Sequence, residues 1–184
     1  MGEPVAAPGN RRSAVVTACI MVAGSLAWIV GISASGLEGS RGFFGPGPLI
    51  ADANLILEIF LVVGLSYGFL LARSGNIDAH RINQTTWVAL NIGLIALLMA
   101  GSMQDVKLVR AADLADWRIG ITWLHAAVGT LTAVTGLWIV LQMNDVLPRG
   151  LHVRGWKTLM RAAFAGYWLT AIFGGATYYF WYIA

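Results

Sequence analysis

The chain has 184 residues, of which 58% are hydrophobic and 11% charged, with a net charge of +3. A soluble domain carries roughly a quarter charged residues because its surface must face water, so this composition excludes an ordinary water-soluble fold. The sequence pI of 9.4 does not signal nucleic acid either, because no basic stripe exists to track phosphates. One cysteine, Cys19, excludes a disulfide framework and a paired-cysteine redox or zinc site.

Residues 1–12 are rich in Gly, Pro and Ala and read as a disordered tail. Arg11 and Arg12 then precede a first apolar run over 13–34. The run is long enough to span a bilayer, which takes about 20 apolar residues, and it reads as an uncleaved anchor. Four further runs qualify, at 49–73, 84–103, 119–143 and 161–183. An unpaired backbone amide in lipid costs several kcal/mol, so each run must be helical. The fold expected is all-α: an integral membrane bundle of five transmembrane helices, a four-helix core plus an N-terminal span, forming one domain over 13–184.

Connections are short. The first, 36–48, holds Phe43 and Phe44 framed by Gly and Pro, and suggests a re-entrant or interface-lying turn. The connection after the third span reads as a short amphipathic surface helix through Val106, Val109, Leu114 and Trp117. Eight Lys and Arg fall on the N-terminal side (Arg11, Arg12, Arg73, Arg81, Arg149, Arg154, Lys157, Arg161) and four on the other (Arg41, Lys107, Arg110, Arg118). The bias predicts a cytoplasmic N-terminus and an external C-terminus, in a bacterial inner membrane.

The second span contains Gly64-Leu65-Ser66-Tyr67-Gly68, letter for letter a nucleophile elbow. An elbow needs a strand–turn–helix junction. Inside a membrane helix the same letters present two small residues one turn apart, which lets a neighbouring helix approach.

Ionisable and polar residues inside spans are expensive and mark candidate sites. The second span carries Asp52 near its outer edge, then Asn54 and Glu58 one turn apart on one face. The third aligns His80, Gln84, Trp87, Asn91 and Ser102 in one stripe. The fourth carries His125 followed by Gly129, Thr132 and Gly136 on the same face. That face admits two readings: a haem slot beside a nitrogen ligand, or a packing seam for another helix. By helix rise, Glu58 and His125 enter to similar depth from the same surface and form the expected outer pair. His80 and His152 lie at the inner surface and form the expected second pair.

The stretch from Asn54 resembles the CtaM/YozB type of small bacterial membrane proteins, associated with haem–copper oxidase assembly. The resemblance rests on Ala72-Arg73-Ser74-Gly75-Asn76-Ile77-Asp78-Ala79-His80-Arg81, on Trp123-Leu124-His125, and on Tyr167-Trp168-Leu169-Thr170 with Gly174 and Tyr178. Two of the family's four histidine positions match, His80 and His125. The others fall near Ser102-Met103 and Trp156-Lys157, with His152 four residues earlier, and Met103 is a candidate soft ligand for haem or copper. The resemblance implies a non-catalytic accessory subunit or assembly factor of a membrane electron-transfer complex, with lipids and other redox subunits as partners and haem b or copper as candidate cofactors. Alternatives are a b-type haem electron carrier, a structural scaffold subunit, or a small proton or solute transporter.

Overall fold

The computed structural model describes residues 8–37, 39–99, 113 and 115–184. It contains five long helices: α1 (Pro8–Ala34), α2 (Leu49–Arg73), α3 (Ile77–Leu94, extended by a π-helical turn, Ile95–Met99), α4 (Trp117–Met143) and α5 (Trp156–Tyr182). Three of them, α2, α3 with its π turn, and α4, are long and apolar enough to cross a membrane. The helix α5 has a comparable length, 27 residues, and its Trp, Tyr and Gly content dilutes its hydropathy.

Boundaries follow local chemistry. The first helix is described from Pro8, inside the stretch expected to be disordered. Residues 1–7 lie outside the described part. Helix α3 starts at Ile77, well before the apolar run at 84, because the Asn76 side chain accepts from the Ala79 N–H at 3.3 Å and caps it. Asp116 likewise caps α4 by accepting from Arg118 N at 2.9 Å. Trp117 is therefore the first residue of α4, stacked on Phe180, and not part of a surface helix. The rest of that expected helix, Val106, Val109 and Leu114, lies outside the described residues.

The helices α2, α3, α4 and α5 close a ring, each packed on its two neighbours, and α1 leans on α3 from outside. Chain direction alternates around the ring. One end therefore gathers the start of α2, the end of α3, the start of α4 and the end of α5. The other end gathers Arg73, Arg81, Arg149, Arg154, Lys157 and Arg161.

The radial pattern is that of a protein dissolved in hydrocarbon. Ile59, Phe60 and Val63 on α2, Leu131 and Val134 on α4, and Ile172 on α5 are all more than half exposed. Buried positions include Asp52, Glu58, Asn91, Thr122, Thr132 and Gln142. Lipid-facing apolar side chains need no burial, whereas polar ones must find partners inside the bundle.

The α2–α3 seam uses the Gly64/Gly68 pair as expected. A Cβ on Gly64 would overlap the Trp87 indole, and one on Gly68 would overlap the Asn83 and Gln84 amides. Backbones this close let side chains of α3 reach carbonyls of α2: Asn83 Nδ2 donates to Gly64 O at 2.8 Å, and Gln84 Nε2 to Leu65 O at 3.1 Å. The polar stripe of α3 is thus consumed over most of its length in holding α2.

Candidate functional site

A cavity of about 490 Å³ lies among α2, α3, α4 and α5 at the end where the 40–48 turn sits. That size falls within the roughly 300–1,000 Å³ of small-molecule sites. Its polar floor is built by one face of each helix: Asn54 and Glu58 from α2, Asn91 from α3, His125 from α4, and Tyr167 with Thr170 from α5. Depth explains the convergence. Glu58 lies nine residues into α2 and His125 eight into α4, so each is buried about 12–14 Å along its helix at 1.5 Å per residue.

Glu58 and His125 meet. His125 Nδ1 stands 3.9 Å from Glu58 Oε1 and 3.0 Å from the Thr170 carbonyl oxygen. A carbonyl only accepts, so Nδ1 carries the proton and donates to Thr170 O. In the neutral ring Nε2 then keeps its lone pair. Glu58 is 5% exposed, yet Oε1 has no hydrogen-bond partner among the described residues, and neither has Asn54 Oδ1. Gly174 makes room for the carboxyl group, since a Cβ there would overlap it. Unpaired buried polar atoms are rare and expensive.

Asp52 has a different task. It is fully buried and accepts from Phe44 N at 2.7 Å through Oδ2 and from the Tyr178 hydroxyl at 2.5 Å through Oδ1. Gly42 and Gly47 admit it, because a Cβ on either would press on its carboxyl group. The turn closes around it through Gly42 N to Gly47 O at 2.9 Å and Leu49 N to Ser40 O at 2.8 Å, and Phe43 and Phe44 point outward, more than half exposed. This carboxylate fastens the turn to α5 and does not line the cavity.

The remaining predicted residues separate from this site. His80 Nδ1 donates to Gly68 O at 2.7 Å, tying the start of α3 to α2 at the basic end. His152 Nε2 donates to Leu147 O at 3.0 Å within the α4–α5 connection, beside a shallow depression bordered by Arg81, Gln142 and Arg154. The expected pairing of His80 with His152 has no contact to support it: each ring is fixed to a carbonyl of a different segment. Met103 and Ser102 lie outside the described residues, but Met99, one turn earlier in the π turn, lines the cavity. Such turns occur often at functional sites.

The His125 face is a packing seam. Thr170 sits over Gly129, Gly166 against Thr132, and Tyr167 over Gly136, each close enough that a Cβ on the glycine would crowd its neighbour. Helix α5 fills the slot that a macrocycle beside His125 requires. A haem with two axial histidines does not fit this arrangement, since His125 is alone at the cavity while His80 and His152 are at the far end. Nor do three His, Cys, Asp or Glu side chains come together for copper among the described residues.

Sequence reasoning did not assign Tyr167, Thr170, Gly174 and Tyr178 to the site. Their signal was present: spacings of three, four and four put them on one face of α5. No family model, curated protein or solved structure matches the chain.

Proposed function

We propose that this protein is a non-catalytic membrane subunit that works through the cavity floored by Glu58 and His125, as an accessory or assembly component of a membrane electron-transfer complex. One observation carries the cavity half of the reading: a carboxyl oxygen buried without a partner among the described residues, 3.9 Å from a histidine nitrogen, on the wall of a cavity of about 490 Å³. A scaffold has no use for such a group, and an unpaired polar atom at membrane depth is expensive to keep. The redox half is supported by the order of features from His80-Arg81 through His125 to the aromatic last helix, which resembles the oxidase-assembly family.

The chain resides, on this reading, in a bacterial inner membrane, with the cavity end external. Six basic residues of the two connections at the opposite end (Arg73, Arg81, Arg149, Arg154, Lys157, Arg161) support that orientation. Purification from the native membrane in mild detergent, followed by mass spectrometry, tests the proposal. Co-purification of oxidoreductase subunits, weakened by Glu58→Gln, is the expected result. A chain isolated alone, in a strain whose respiratory activity is unchanged by its deletion, overturns it.

A further inference from the structure

We propose that the basic end of the bundle binds the phosphate of an anionic phospholipid, in the depression bordered by Arg81 of α3 and Arg154 of the α4–α5 connection. The proposal is independent of what fills the cavity at the other end.

Charge comes first. The segments 73–81 and 144–161 carry six basic residues, Arg73, Arg81, Arg149, Arg154, Lys157 and Arg161, against two acids, Asp78 and Asp145. All six basic side chains are exposed. They lie at the ends of helices that lipid surrounds, at the depth of the headgroups, where each cation attracts an anionic lipid surface.

Local structure then gathers two of these charges. Gln142, buried at the end of α4, clasps Val153 on both sides: its Nε2 donates to Val153 O at 3.2 Å, and its Oε1 accepts from Val153 N at 2.9 Å. His152 Nε2 donates to Leu147 O at 3.0 Å and folds the same connection back on itself. These bonds hold Arg154 beside a depression of about 520 Å³ that Arg81 borders from α3. Asp145 borders it too and leaves one cation in excess. Guanidinium groups recognise phosphate through paired N–H donors.

A lipid suits the surroundings better than a soluble anion. Val146, Leu151 and Val153 of the same connection are 63%, 48% and 38% exposed, interleaved with Arg149 and Arg154. Trp156 borders the depression, and Lys157 Nζ stands 5.4 Å from its ring centroid. Exposed apolar side chains among cations, beside an amphipathic ring, match the boundary between headgroups and acyl chains. The excess of cations favours a headgroup of net negative charge over one that carries its own ammonium group.

The deciding measurement is native mass spectrometry of the full chain from detergent micelles, titrated with phosphatidylglycerol, phosphatidylcholine and glycerol 3-phosphate. Phosphatidylglycerol binds at least tenfold more tightly than phosphatidylcholine, and a large excess of glycerol 3-phosphate does not displace it. Arg81→Gln and Arg154→Gln each weaken it about fivefold, the factor that one basic side chain contributes near a lipid surface. Both positions are exposed, so the thermal midpoint in detergent stays unchanged. Arg118→Gln removes the same charge at the start of α4, at the opposite end, and leaves the affinity as it was. Equal affinity for the two lipids overturns the proposal, and so does indifference to both inner substitutions. Displacement by glycerol 3-phosphate overturns it in favour of a site for soluble anions. An effect of Arg118→Gln as large as that of Arg81→Gln reduces the binding to net charge and removes the site.

Discussion

The Tyr178 hydroxyl donates to Asp52 Oδ1 at 2.5 Å, joining the last helix to the first turn of α2 across 126 residues of sequence. The same carboxylate holds Phe44 N. One buried side chain thus fixes the 40–48 turn and the end of α5, and with them one rim of the cavity.

Tyr178→Phe leaves Asp52 Oδ1 buried without its partner, at a cost of about 1–3 kcal/mol. Thermal unfolding in detergent shows the loss as a lower midpoint. Tyr179→Phe, at a position 49% exposed, leaves the midpoint unchanged. Equal effects of the two substitutions contradict the role given to Asp52.

Gly64→Ala drives a methyl group into the Trp87 indole. Overpacking of this kind costs about 1–3 kcal/mol. Gly175→Ala meets nothing within 4 Å and serves as the matched control, since it places the same methyl group on a membrane helix with no neighbour to displace. The pair of melting curves separates close packing from a general intolerance of alanine.

His125 is predicted to populate the Nδ1–H tautomer, because its partner at 3.0 Å is a carbonyl. Nitrogen-15 shifts of labelled protein read this directly. Gly174→Ala pushes on the Glu58 carboxyl group, so it shifts the His125 ring resonances while those of His80 stay in place. A dominant Nε2–H form, or insensitivity to Gly174→Ala, contradicts the geometry of the pair.

His80→Ala and His152→Ala each remove one bond to a backbone carbonyl. Each lowers stability by about 0.5–1.5 kcal/mol and leaves co-purification of oxidoreductase subunits unaltered. A large loss of those subunits from either one points to a paired-histidine inner site that the contacts here do not support.

Sequence alone settled the helical class and most of the boundaries, for a physical reason: backbone amides in hydrocarbon have no partner but one another. The run at 49–73 coincides with α2 (Leu49–Arg73), and the similar depth of Glu58 and His125 followed from helix rise alone. The Gly64/Gly68 seam was equally legible, since small residues one turn apart admit a close neighbour.

The choice of neighbour was not legible, because a polar or small-residue face marks the side that turns inward and not the helix that covers it. Only the closed ring of α2 to α5 decided that α5 fills the groove beside His125, that His80 turns to Gly68, and that Asp52 serves the turn rather than the cavity. Hydropathy fixes how deep a residue lies. Side-chain contacts between helices far apart in sequence decide what it faces.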